Sequence, residues 1–194
     1  MSLEPFEYYL IFVNIIGFAL FLINTLLYTY TENGQIDVIL TITSIVGGSL
    51  GIVLCMLIID RKAIKGNMMS RVFVVCVLVV QIVLYLFLKG NHKQDITFGF
   101  FDFFSENKTI LIYFLVINIV TFVFFAIDKY NAVTHRSRIR IVTLLALSFM
   151  GGSIGGLLAM YLLRHKIKKD YFAVGLPMIM FTQFVFIFYL MNVY

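Results

Sequence analysis

Six apolar runs, at about residues 8–28, 38–59, 72–88, 111–127, 141–163 and 171–191, limit what this chain can fold into more than any other feature. A bilayer core about 30 Å thick takes roughly 20 apolar residues of helix to cross. No Lys, Arg, Asp or Glu lies inside the second, third, fourth or fifth run. Backbone in hydrocarbon has to satisfy its own hydrogen bonds, and runs of this length are not the roughly ten-residue alternating strands of an outer-membrane barrel. The expected fold class is therefore all-α, a polytopic membrane bundle of six transmembrane helices. With 61% of its 194 residues hydrophobic and only 13% charged, the chain does not have the composition of a soluble domain. Its connectors are short and polar. The third contains FGFFDFF, which suits a small amphipathic piece lying in the membrane interface.

The net charge of +5 would suit a nucleic-acid partner, but the basic residues cluster at the ends of apolar runs, where lipid headgroups and the positive-inside rule also place them. Membrane lipids and a second copy of the chain are the partners these features suggest. Nucleic acid and cofactors are not expected. The N-terminal MSLEPFEYYL has Glu4 and Glu7 and no Lys or Arg, so it lacks the basic segment of a secretory signal, and the first apolar run is expected to be retained. Cys55 and Cys76 both lie in apolar stretches without CxxC or Cys/His spacing, which argues against a disulfide framework or a zinc site and for two buried small hydrophobes.

The chain repeats itself. A shift of 104 residues lays YLIFVNIIGFALFLIN (9–24) over YFLVINIVTFVFFAID (113–128), and SIVGGSLGIVLCMLIIDRKAIK (44–65) over SFMGGSIGGLLAMYLLRHKIKK (148–169). Asn14/Asn118, the GGSxG motifs, Lys62/Lys166, Lys65/Lys169 and Tyr85/Tyr189 coincide in that register. Apolar bias alone would not align an Asn, a GGSxG and a basic pair. The expected organisation is a first three-helix repeat at 1–90, a connecting loop at 91–110 and a second repeat at 111–194. Three crossings per half is odd, so the second half is expected to enter from the opposite side as an inverted repeat. That arrangement divides Lys and Arg almost evenly, eight on one side and seven on the other. The first half alone, with its basic loop after the second run, favours a cytoplasmic N-terminus.

The glycines of GGSLG and GGSIGG recur four apart, as Gly47 and Gly51, Gly151 and Gly155, with Gly48 and Gly152 beside them. On one helix face this spacing lets two backbones approach closely. The sharper reading bends the helix or lines a narrow pore, with Ser49 and Ser153 facing solute. Asn14 and Asn118 lie inside the first and fourth runs, where an amide more often joins helices than handles substrate, although recurrence in both halves raises the functional reading. Gln81 and Gln183 are offset by 102 instead of 104 and carry less weight. A third group is basic: Arg61, Lys62 and Lys65 in the first half, Lys129, Arg138, Arg164, His165, Lys166 and Lys169 in the second, with Asp128 among them. Such residues snorkel at helix ends and complement helix C-terminal dipoles. They would equally form a mouth that attracts anions, with Arg138 and Arg164 able to grip phosphate bidentately.

The second half, over about 113–190, resembles the bacterial membrane family known as domain of unknown function 1294. The resemblance rests on Asn118, Asp128, Lys129, Ala132, Arg138 and Ile139, on the GGSxG core, and on Arg164, His165, Lys166, Lys168 and Phe172. It implies a bacterial cytoplasmic membrane and names no activity. The Pro-Glu that the family pattern has at the next helix start is Arg140-Ile141 here. The first half is similar to a decayed copy, with Asn24 for the Asp, Thr25 for the Lys, Arg61 for the His, and Asp37 where the missing Glu would fall. No HExxH or phosphate loop is present, and neither an enzyme nor a metal centre is expected. The expected function is a small transporter or channel for an anionic or phosphate-bearing solute. The alternatives are a phospholipid-headgroup-binding enzyme or module, and a structural or regulatory membrane protein without a solute path.

Overall fold

A computed structural model describes residues 4–30, 37–59, 68–90 and 96–193. All the described regular structure is helical, and six segments are long and apolar enough to cross a bilayer: Pro5–Leu27, Val38–Ile58, Met68–Leu88, Lys108–Val133, Ile141–Leu162 and Asp170–Val193. These are the six expected runs, and the chain has the architecture of a multi-pass membrane protein. Its outer surface agrees, because large apolar side chains such as Phe12, Ile15, Leu115 and Ile119 are exposed along the helices. A lipid-facing surface accepts such exposure where water would penalise it. Cys55 and Cys76 are buried and unbridged.

The chain divides into two compact units, Met1–Ile82 and Val83–Tyr194. In the first, α1 (Pro5–Tyr30) is followed by α2 (Asp37–Thr43) and α3 (Ser49–Ile58), then by α4 (Met68–Leu88), which runs on into the second unit. Leu40 of α2, Ile52 and Met56 of α3 and Val74 of α4 form the core of the first unit, with Leu20 and Phe21 of α1 packed on them. The second unit adds α5 (Phe100–Glu106), α6 (Lys108–Val133), α7 (Ile141–Leu147), α8 (Ser153–Leu162), a single turn α9 (Asp170–Ala173) and α10 (Gly175–Val193). Its core is built from Phe125, Leu144, Met160, Phe172, Leu176 and Ile179, each almost fully buried. The FGFFDFF segment leads into α5 at Phe100, seated through Phe100 on Phe184 of α10 and through Phe104 on Phe114 of α6, with Phe101 left outside.

Two of the six apolar runs are not continuous rods. Gly47 has φ 128° and Gly151 has φ 123°, outside any helix. Only glycine takes such angles at little cost, so the helical course that begins with α2 breaks at Gly47 and the one that begins with α7 at Gly151, and α3 and α8 start just beyond. The expectation that Gly47 and Gly51, or Gly151 and Gly155, share one helical face is therefore corrected: the first glycine of each pair is the break itself.

The contacts show where the chain goes after each break. In the second unit the Tyr113 hydroxyl donates to the Met150 carbonyl, the Gly155 amide donates to Asn118 and His165 meets Asp128, all at a separation of 37 residues. A constant offset means that α8 advances alongside α6 in the same direction. The Ile139 amide, just ahead of α7, is bonded to that same Asp128. So α7 runs back along α6 from the level of Asp128 to that of Asn118, and α8 returns. The first unit repeats the pattern, with Tyr9 on Val46 and Asn14 on Gly51, again 37 apart.

Candidate functional site

Breaking a helix at membrane depth frees carbonyls at one end and amides at the other, and each has to find a partner. In the second unit the Gln183 amide donates to the Ser148 and Phe149 carbonyls at 2.6 and 3.2 Å, Tyr113 to Met150 at 2.5 Å and Asn118 to Gly151 at 2.9 Å. Four consecutive carbonyls are thus bonded. On the other side of the break Asn118 Oδ1 accepts the Gly155 amide at 2.7 Å, while Gln183 Oε1 accepts the Ser153 hydroxyl. Asn118 therefore clasps both helix ends with one side chain.

The first unit builds the same node. Gln81 donates to the Ser44 and Ile45 carbonyls, Tyr9 to Val46, and Asn14 Oδ1 accepts the Gly51 amide at 2.8 Å. The Ser49 hydroxyl donates to Gln81. Both glutamines are thus central, contrary to the low weight their offset suggested. The serine and glutamine stand 32 residues apart in one unit and 30 in the other, so the difference of two falls in the connection between them. The third helices therefore correspond at a shift of 102, and Tyr85/Tyr189 is a coincidence of the wrong register. The two tyrosines were missed as well, although their signal was present: Tyr9 and Tyr113 head the two aligned segments.

Ser49 and Ser153 are completely buried and engaged with glutamine, so they do not face solute in this conformation. A Cβ at Gly51 would collide with the Asn14 carbonyl, and one at Gly155 with the Asn118 carbonyl. The close packing expected of the glycines is present, against the first helix of each glycine's own unit. Gly48 and Gly152 are buried beside the breaks, facing Val13 and Thr121.

The second constellation occurs at the far end of α8. Asp128, fully buried on α6, accepts His165 Nε2 at 2.8 Å and Lys166 Nζ at 2.7 Å on Oδ2, and the Ile139 amide at 3.0 Å on Oδ1. A carboxylate so deep in protein needs a compensating charge, and Lys166 provides it. The Lys166 ammonium also sits 4.8 Å from the centre of the Phe172 ring, which packs edge-on against Phe125. With Asp128 ionised, Nε2 has to be the donor, so a neutral His165 keeps its lone pair on Nδ1.

The backbone that presents these groups is strained. Helix α8 ends with the Arg164 amide bonded to Tyr161 and the His165 amide to Met160, a Schellman termination whose left-handed position is usually glycine. Arg164 occupies it at φ 47°, and Lys166 is also left-handed at φ 62°. Each costs about 1–2 kcal/mol. Strain of this kind persists only where surrounding contacts impose it, and here it turns His165 and Lys166 onto Asp128.

Of the remaining expected residues, Lys129 is half-buried, while Arg138, Arg164 and Lys169 are exposed around this cluster. Contrary to expectation, Asp128 is therefore not an exposed member of a charged mouth; it is fully buried. Arg61, Lys62 and Lys65 lie outside the described residues, as does the side chain of Asp37. Asn24, the first-half counterpart of Asp128, is buried too.

The family model described as "Protein of unknown function (DUF1294)" matches residues 118–172. That segment runs from the Asn118 clasp to Phe172 and contains the whole Asp128–His165–Lys166 cluster. The resemblance seen in the second half is thereby confirmed, and Asp128, His165, Lys166 and Phe172, four residues that carried it, meet in one place. No curated protein matches the chain, and no solved structure does.

Proposed function

We propose that this protein is a small transporter or channel for an anionic or phosphate-bearing solute. The observation that carries the reading is the pair of glycine-broken helices at corresponding positions of two sequence repeats. Interrupted helices so paired are the usual mark of a solute site near the bilayer midplane, because broken backbone is tolerated there only when protein or a water-filled path takes it up. The exposed basic residues around Asp128 would raise the local concentration of anions at one end. Purified protein in liposomes, challenged with a panel of anions and phosphate esters under an imposed gradient, should conduct at least one of them. Absence of flux under every gradient overturns the reading.

The Asp128–His165–Lys166 cluster favours a second reading, in which Arg164, Lys168 and Lys169 hold a phospholipid headgroup above the buried carboxylate. Replacing Arg164 and Lys168 by Ala should then abolish selective binding of anionic lipid while leaving flux unchanged. If the protein shows neither flux nor lipid selectivity, the broken helices and amides serve assembly alone.

A further inference from the structure

We infer that the second and fifth apolar runs are re-entrant hairpins that enter and leave the membrane on the same face, so that each half crosses twice. The inference is independent of whether the protein transports anything. Helix α7 has 7 residues and α8 has 10, about 10 and 15 Å of helix, against a hydrocarbon core of about 30 Å, so neither arm crosses alone. A continuous run would carry residue 165 to the opposite end of α6 from residue 139. Instead the Ile139 amide and the His165 imidazole share the carboxylate of Asp128. The tip lies at the level of Asn118 and Tyr113, whose side chains satisfy its backbone, as a non-helical turn at membrane depth requires. By contrast α9 and α10 together run the full length of the unit, from Phe172 of α9 against Phe125, past Gln183 of α10 at the tip, to Asn192 bonded to Thr97.

The charge distribution provides an independent check. With three crossings per half the Lys and Arg residues divide eight to seven, which obeys no orientation rule. With two crossings and a hairpin in each half, the loops after runs one, two, four and five all reach one face. That face then collects 12 of the 15 Lys and Arg, and only Lys89, Lys93 and Lys108 belong to the other. Such an excess identifies the cytoplasmic side. The Asp128 cluster and its exposed arginines and lysines would then open to the cytoplasm, where they could meet a cytosolic phosphate compound or an inner-leaflet headgroup.

Single cysteines at Ser137, Lys168, Lys65 and Ser105 test the topology with a membrane-impermeant maleimide, applied to right-side-out and to inverted vesicles. The native cysteines can stay, because both are buried. Ser137→Cys, Lys168→Cys and Lys65→Cys should label only from the cytoplasmic face and Ser105→Cys only from the other. If Lys168→Cys does not accumulate, Lys169→Cys reads the same loop. Labelling of the 137 and 168 positions from opposite faces overturns the hairpin, and labelling of the 65 and 168 positions from opposite faces overturns the count of two crossings per half.

Discussion

The two units agree at the helix break and differ at the basic end. Each break is closed by the same four kinds of side chain: a tyrosine and an asparagine from the first helix, a serine from the restarted helix and a glutamine from the last. At the other end the second unit buries a carboxylate against a lysine and a histidine, whereas the first has the uncharged Asn24 at the matching position. What is duplicated is scaffold, a device for placing a turn inside a membrane. What occurs once among the described residues is the candidate for chemistry, and it falls within the segment that the family model matches.

The largest expected effect probes the part that is not shared. Asp128→Ala removes the counter-charge of Lys166 and two further hydrogen bonds, and loss of one partner of a buried pair costs about 3–5 kcal/mol. Asn24→Ala in the first unit should cost much less, since no buried charge is stranded. Unfolding in mixed detergent micelles, followed by helical circular dichroism, measures both. Equal losses would mean that the two ends are equivalent after all.

The shared node is probed next. Gly155→Ala and Gly51→Ala drive a methyl into the carbonyls of Asn118 and Asn14, and both should destabilise by about 3 kcal/mol, the upper part of the range for overpacking. Gln183→Leu and Gln81→Leu leave two carbonyls and a serine hydroxyl unpaired at each break, with an expected cost of about 2 kcal/mol in either unit. The same unfolding assay applies. A loss confined to one unit would show that the repeats are no longer mechanically alike.

The smallest expected effect has the opposite sign. Arg164→Gly relieves a left-handed residue and should stabilise the second unit by about 1 kcal/mol. If the guanidinium grips phosphate, the same variant should lose anion or headgroup binding in a vesicle pull-down. A more stable protein that binds less would separate strain kept for function from strain without purpose.

Much of this was legible beforehand. Recurrence marks Asn14 and Asn118 in the sequence, and both join helices in the structure. The GGSxG motif was recognised too, but a glycine that packs and a glycine that terminates a helix are written identically. Only the φ of Gly47 and Gly151 separates them. The correspondence of the glutamines is hidden in the sequence because a fixed register cannot follow a two-residue change in a connection. Asp128 looked like one member of a charged mouth, since burial is not visible in a string of residues.

By itself the sequence determined the solvent, the helical class and the duplication, because hydrophobic length and repeated spacing are local quantities that bilayer thickness and helix geometry translate directly. The tertiary structure alone decided the direction of α8 and the pairing of Asp128 with His165 and Lys166. Both depend on which backbone a broken helix packs against after it turns, and that is settled by long-range hydrogen bonds that no local pattern encodes.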